Sequence, residues 1–240
     1  MSKQLDNNKS DWAAVTARAS LGAIPVAGSF LAEIAGTLIP NQRIDRIAKY
    51  ASELNDRLES LPNEIIEQLR NNEKFIDLVE ESFIRASRAS SDERRIYIFN
   101  IVNNGISDNE AAINNAKYLL GLLSEINDNE VIWLRYFHER SINDKNEFQM
   151  LHKNVLQPVV VTLGSGKEER QQGALQDSYK EHLERLGLIK HNIKMNKDLG
   201  VPEYNTFTNK PEVTYSQTTT LGDMLLENIG LINSSPKEVN

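Results

Sequence analysis

The chain contains no cysteine and carries no surplus of basic residues over its 240 positions. Without cysteine it can form neither a disulfide bond nor a cysteine-ligated metal site, and it has no thiolate nucleophile. Its 27 Lys and Arg residues are outnumbered by 34 Asp and Glu, which gives a net charge of −7. Proteins that bind nucleic acid ordinarily present a basic face, so the composition does not favour a nucleic-acid partner.

A secretory signal is also missing from the start of the chain. The first residues, MSKQLDNNKSDW, are polar, and no basic tip followed by a short apolar run and a small-residue cleavage site is present. We therefore expect a cytoplasmic protein. Attachment to the periphery of the inner membrane stays open, because a longer apolar segment follows further along the chain.

Motifs that would announce an enzyme are incomplete or missing. The GSGK at 164–167 lacks the first glycine of a phosphate-binding loop, and Glu168 stands where that loop needs Ser or Thr. None of the histidines has metal-ligand spacing, and no G-x-S-x-G nucleophile elbow occurs. We expect a protein that is not an enzyme, with no catalytic, cofactor-binding or metal-binding residues. The histidines are His138, His152, His182 and His191.

The N-terminal part of the chain holds the apolar, glycine-rich segment 20–39, which carries one charged residue, Glu33. Its length would span a bilayer, but Glu33 and the helix-breaking Pro25 disfavour a simple span. Gly28, Ala32 and Gly36 are spaced four apart, so on a helix they form a flat face for close packing or lipid contact. The segment is either a buried helix or hairpin, or a membrane-contacting element.

Residues 1–127 are predicted to form a helical bundle that includes this apolar segment. After Pro40 the apolar residues alternate at spacings of three and four, typical of a bundle helix or of a dimer seam. Further apolar periodicities follow, with capping boxes expected at Ser90 with Glu93 and at Ser107 with Glu110. The helix that opens at Ser90 is expected to bury Ile96, Phe99, Val102 and Ile106. The seam residues are Ile44, Ile47, Ala51, Leu54, Leu58 and Leu61.

Residues 128–232 predict a winged-helix-like module with a small β-hairpin. A helix near 128–140 is followed by a loop-rich insert at 141–173 and a second helix near 174–186, which Gly187 would end in a left-handed C-cap. Leu188 and Ile189 would begin the first wing strand, 213–219 would return as the second, and 220–231 would close the module. The remaining residues, 233–240, are expected to be a mobile tail.

The second helix of such a module often enters the DNA major groove. Here Lys180 and Arg185 are the candidate interaction residues, but Asp177, Glu181 and Glu184 outnumber them. Phosphate contact would therefore be weak, and we favour a module that contacts protein or is purely structural. A DNA-binding transcriptional regulator is the alternative.

Three pieces of the sequence resemble the abortive-infection alpha group of bacterial phage-defence proteins. They are the glycine-rich start IPVAGSFLAEIAGTLIP with RIDRIAKYASELNDRLESL, the segment RASRASSDERRIYIFNIVNNGI, and the ending HLERLGLIKHN with TTTLGDMLLENIGL. The resemblance implies a helical protein of phage defence and supplies no active-site residues. We expect it to act through a protein partner or self-association, with membrane contact as an open possibility and nucleic acid not favoured.

Overall fold

The computed structural model describes residues 44–107, 109–139, 147–162, 164–197, 199–205 and 209–233, with side chains from residue 49 onward. Within these ranges the chain is mainly helical, with ten helices and one two-stranded antiparallel hairpin near the C-terminal end. The predicted fold class is thereby confirmed. The segment 20–39, its face Gly28, Ala32 and Gly36, and the tail from 234 lie outside the described residues, so these predictions stay predictions.

The chain divides into two compact units. The first unit, called the bundle below, comprises the described residues up to Ser124 together with Asn228–Gly230. The second unit, called the module, comprises Glu125–Glu227 and the described residues from Leu231. Within the described ranges, no helix has both the length and the apolar composition needed to cross a membrane.

The bundle contains four helices and most of a fifth. Helix α1 contacts α3 and α4, α3 also contacts α4, and the short α2 lies against α3. The helices are α1 (Ile44–Glu59), α2 (Asn63–Arg70), α3 (Glu73–Arg88), α4 (Asp92–Gly105) and α5 (Glu110–Glu125).

The predicted seam of α1 corresponds to its buried face where side chains are described. Ala51, Leu54 and Leu58 are buried, while Ile44 and Ile47 fall among the residues without described side chains. Tyr50 and Asn55 are buried as well, which the seam did not predict. The reason is geometric: α1 is covered by two helices, so its buried face is wider than the narrow stripe of a coiled coil.

Helix α4 differs from its sequence prediction in two ways. Its N-cap is Ser91 rather than Ser90, and the Ser91 hydroxyl accepts a hydrogen bond from the Arg94 N–H. Its buried face contains Ile98, Ile101, Val102 and Gly105, whereas the predicted core residue Ile96 is exposed. Because α4 contacts both α1 and α3, two buried faces overlap and the apolar periodicity is weak.

The module contains the hairpin and the remaining helices. Strands β1 and β2 pair antiparallel, with Ile189 opposite Thr218 and His191 opposite Ser216. Helix α6 packs against α8, α9 and β2, and α9 also contacts β1. The elements are α6 (Asp128–His138), α7 (Glu147–Leu151), α8 (Lys153–Leu156), α9 (Lys167–Arg185), β1 (Ile189–Ile193), β2 (Val213–Thr218) and α10 (Thr220–Asn228).

The predicted loop-rich insert is shorter than expected. Two short helices, α7 and α8, lie within it, and α9 begins at Lys167 instead of near residue 174. Gly173, which ends the predicted loop-rich insert, therefore lies inside α9 and not in a loop. A Cβ at this position would come 2.5 Å from a methyl group of Val161, so the glycine lets the preceding segment pack on the helix.

Two glycines shape the junctions of the wing. Gly187 has a φ of 72°, and the Leu188 N–H bonds back to the Leu183 carbonyl, which confirms the predicted left-handed C-cap. Gly222 in α10 lies against the chain at Leu188: a Cβ there would be 2.2 Å from the Leu188 carbonyl oxygen. The start of β1 and α10 are thus held in close backbone contact.

Candidate functional site

A cleft of about 750 Å³ lies in the module between α6, α9 and the hairpin. We call it the wing cleft. Its aromatic wall comes from α6 and consists of Trp133, Tyr136 and Phe137. The opposite lining comes from α9 and from hairpin residues, among them His191 and Ser216.

One face of α9 supplies most of the charge in the wing cleft. Asp177, Lys180, Glu181 and Glu184 all line it. Their spacing of three, one and three places them on one side of the helix, since side chains three and four apart share a face. The buried residues Gly173, Gln176 and Leu183 anchor α9 within the module, so the acidic face is left to the cleft and solvent.

Lys180 is turned onto the aromatic wall. Its Nζ lies 4.8 Å from the centroid of the Trp133 ring and 3.8 Å from a carboxylate oxygen of Asp177. A cation over an indole face is attracted by the negative potential of the ring. The contact therefore occupies a lysine that a DNA-reading helix would direct toward phosphate.

A second lysine enters the cleft from the wing. The Lys210 ammonium group pairs with the Glu181 carboxylate. The hydrogen bond and the charge of Glu181 hold the pKa of Lys210 above its usual value, and the more distant Asp177 adds to the effect. The carboxylates of α9 thus favour positive charge in the wing cleft.

Trp133 itself carries an unsatisfied polar group. The side chain is 3% exposed, and its Nε1 has no hydrogen-bond partner within the described residues. Its ring meets Tyr136 edge-on at 5.4 Å and Phe137 at 5.7 Å, so neighbouring rings hold its orientation. Buried hydrogen-bond donors are normally paired, so the unpaired indole N–H of Trp133 is unusual.

On the hairpin side of the wing cleft, a hydroxyl, an imidazole and a carboxylate lie next to one another. The Ser216 hydroxyl is 2.6 Å from Nδ1 of His191, and a Glu184 oxygen is 3.6 Å from Nε2. The second distance is longer than a hydrogen bond. His191 and Ser216 are direct cross-strand partners, and their contact fastens the wing.

Two further histidine–carboxylate pairs hold the frame of the module. Glu130 is buried; one of its oxygens is 2.7 Å from Nδ1 of His182, and the other accepts the Asn127 N–H at 2.7 Å. The same side chain therefore closes the capping box of α6 and ties α6 to α9. His138 makes a similar contact with Asp223 at 2.8 Å, which links α6 to α10.

A second cavity, of about 620 Å³, lies between α8, the segment after it and α9. Gln176 dominates its polar lining. The amide donates to the carbonyls of Val155 and Gln157 and accepts the Val159 N–H. These bonds join parts of the chain itself, so Gln176 fastens the insert to α9.

The structure brings one of the two predicted interaction residues into the wing cleft. Lys180 lines it, whereas Arg185 is exposed at the end of α9 and does not line it. Sequence reasoning missed Trp133, Lys210 and His191 as members of the same site. The recurrence of acidic residues along one face of α9 was visible, but no local pattern connected it to an aromatic wall 40 or more residues earlier in the chain.

In the described ranges, no group of three or more His, Asp or Glu side chains is arranged to hold a metal ion. What the wing cleft can do chemically is hold positive charge against an aromatic surface. Comparison of the chain with protein-family models, with curated proteins and with solved structures finds no match.

Proposed function

We propose that this chain is a non-enzymatic protein of bacterial phage defence, of the abortive-infection type, whose module works by contacting protein. The defence role is supported by the resemblance of its N-terminal, middle and C-terminal segments to the abortive-infection alpha group. The mode of action is supported by the surface of the module.

The observation that carries the mode of action is the charge arrangement of α9. The helix holds five acidic and four basic side chains, and one of the basic ones, Lys180, lies over Trp133. A helix that enters a DNA groove needs lysine and arginine directed at phosphate, because counterion release supplies most of the affinity. The outward face of α9 would instead repel phosphate.

A duplex-binding experiment tests this part. Titration of the full chain into a fluorescently labelled DNA duplex at low salt should produce no rise in anisotropy. A saturating rise that weakens steeply with added salt would overturn the protein-contact mode in favour of a DNA-binding regulator.

A charge-reversal variant makes the duplex test sharper. Glu181→Lys with Glu184→Lys should confer salt-sensitive DNA binding if α9 is otherwise placed to meet a duplex. Glu64→Lys with Glu67→Lys, on the exposed side of α2, makes the same change in net charge and is the matched control. Equal gains in both variants would show that net charge alone decides.

The defence role is tested by phage plating on cells with and without the chain. Plating efficiency should fall in cells that carry the wild type and should recover in cells that carry Glu181→Lys with Glu184→Lys. The Glu64→Lys, Glu67→Lys chain should still protect. No protection by the wild type against any phage of a diverse panel would count against the role.

Contact with the inner membrane through residues 20–39 is a separable part of the proposal. It is supported by the length and apolar character of that segment. Fractionation of cells that express the full chain or a chain without residues 1–40 tests it. Equal recovery of both in the soluble fraction would remove the membrane from the proposal.

A further inference from the structure

Building on that proposed function, we propose that the wing cleft is the receptor for a lysine or arginine side chain on a peptide segment of a partner protein. The incoming cation would take the position that Lys180 and Lys210 now occupy, between the Trp133 ring and the carboxylates of α9. The partner is thereby assigned a chemistry: a basic, extended segment.

The first argument is the combination of ring and carboxylate. Lys180 shows that an ammonium group is accommodated at 4.8 Å from the Trp133 centroid with Asp177 beside it. Aromatic faces bordered by carboxylates are a recurrent way to recognise organic cations. The chain's own lysine thus displays the geometry that an external cation would adopt.

The second argument is the balance of charge. Asp177, Glu181 and Glu184 line the cleft together with Lys180 and Lys210, so its carboxylates outnumber its ammonium groups by one. Lys180 and Lys210 partly neutralise these carboxylates, and each ammonium group is held at the end of a flexible four-carbon chain. Their side chains are 30% and 65% exposed, and ion pairs at that exposure are weak, so a competing cation displaces them at little cost.

The third argument identifies a peptide rather than a simple cation. Aromatic and apolar side chains, among them Phe137, Ile193 and Val213, line the cleft beside its carboxylates. The stem of a lysine or arginine and the adjoining peptide backbone would cover this apolar surface, whereas an inorganic cation would leave it exposed. The volume of about 750 Å³ is in the range of small-ligand sites and admits one or two side chains.

Trp133 also provides the readout. The chain has two tryptophans, Trp12 and Trp133, so a Trp12→Phe background leaves Trp133 as the one fluorescent indole. Titration with an end-blocked peptide of alternating lysine and glycine should change the Trp133 emission to saturation. The same peptide with glutamate in place of lysine should leave the emission unchanged, and equal responses to both peptides would overturn the proposal.

Two variants test the residues. Glu181→Gln with Glu184→Gln should weaken lysine-peptide binding by about tenfold, which corresponds to the loss of roughly one charge-assisted contact. Glu64→Gln with Glu67→Gln, at a surface far from the cleft in sequence, should change binding by less than about twofold. Equal losses in both pairs would show a response to net charge and would overturn the assignment.

Lys180→Met separates a ligand site from a purely structural contact. The methionine keeps an apolar chain against the ring but removes the competing charge, so lysine-peptide binding should become about threefold tighter. Unchanged or weaker binding in a variant with a wild-type circular dichroism spectrum would overturn the proposal, because it would mean that Lys180 does not occupy the ligand position.

The outcomes also separate this proposal from the defence role. A chain that protects cells but shows no emission change with the lysine peptide would overturn the cleft assignment and leave the defence role intact. A chain that binds the peptide but never protects cells would do the reverse.

Discussion

In the bundle, the large apolar side chains are almost all covered, whereas the module leaves many of them in solvent. Among the described residues, Ile96 and Tyr118 are the exposed large hydrophobics of the bundle, and the other twelve belong to the module, including Leu199, Val160 and Leu151. Scattered exposed apolar residues are normal in soluble proteins, whereas contiguous apolar patches are typical of interaction surfaces. The exposed apolar surface of the described residues is therefore concentrated in the module.

The two units also differ in how they bury polar groups. In the bundle, the Tyr50 hydroxyl donates to Ser82 at 2.6 Å, a neutral pair inside an apolar core. In the module, the buried polar side chains include a carboxylate, Glu130, which is bonded to His182 and to the cap of α6. All four histidines of the chain lie in the module. The module thus buries a charged side chain, whereas the polar side chains buried in the described bundle are neutral.

The largest effect is expected in the bundle core. Phe83 is fully buried and meets the Tyr50 ring edge-on at 5.4 Å. Phe83→Ala should lower the free energy of unfolding by about 4 kcal/mol, because it removes a large side chain and leaves a cavity. Urea unfolding followed by circular dichroism measures it. Tyr118→Ala is the control and should cost less than about 1 kcal/mol; an equal loss would mean that Tyr118 is covered in solution.

Two capping-box glutamates sharpen the contrast within the module. Glu130 closes the cap of α6 and is buried against His182, whereas Glu169 bonds the exposed Gly166 N–H at the start of α9. Glu130→Ala should cost about 2 kcal/mol because it removes a buried carboxylate that bonds both the Asn127 N–H and the His182 ring. Glu169→Ala should cost less than about 1 kcal/mol. Similar values for the two would show that the His182 contact adds nothing to the cap.

Two glycine-to-alanine substitutions should change the stability of the chain in opposite directions. Gly222→Ala places a Cβ against the Leu188 carbonyl and should destabilise the module by about 2 kcal/mol. Gly121→Ala, inside α5 with open space around the new Cβ, should stabilise the chain by about 0.5 to 1 kcal/mol. Thermal unfolding of both variants measures this. A stabilising Gly222→Ala would contradict the close approach of α10 to the start of β1.

The smallest effect concerns pH. Burial raises the pKa of the Tyr50 phenol, and its hydrogen bond with Ser82 only partly opposes this. In the unfolded chain this tyrosine ionises at about pH 10, whereas in the folded chain it stays neutral at that pH. Its contribution to stability is therefore complete below about pH 10 and is lost above it. Tyr50→Phe should therefore show a shallower fall of Tm between neutral and strongly alkaline pH than the wild type.

The control for the pH experiment is Tyr118→Phe. The Tyr118 ring is exposed, so this variant should retain the wild-type alkaline slope. At neutral pH, Tyr50→Phe should cost about 1 kcal/mol, the usual net value of one hydrogen bond. Identical alkaline slopes for Tyr50→Phe and the wild type would contradict the burial of an ionisable phenol in the bundle.

Much of the fold follows from local patterns in the sequence. The periodicities predicted helices where α1, α3, α5 and α6 are found. Gly187 was recognised as a left-handed C-cap because glycine adopts positive φ at little cost. These predictions succeed because each depends on residues within one or two turns of one another.

The failures have a common physical cause. The face of α4 was misjudged because two helices cover it, and the start of α9 was placed too late because Gly173 suggested a loop. That glycine serves the approach of Val161, a contact between segments that the local pattern does not reveal. The wing cleft was missed for the same reason, since Trp133 and Lys180 are brought together only when α6 and α9 pack.

By itself, the sequence determined a mainly helical chain with a C-terminal hairpin, the acidic character of α9 and the absence of cysteine chemistry. These properties depend on composition, on periodicity and on backbone preferences of single residues. The tertiary structure alone decided that Lys180 lies over Trp133, that Lys210 reaches Glu181, and that Glu130 joins α6 to α9. Such contacts depend on which helix faces meet, and packing sets that across the whole module.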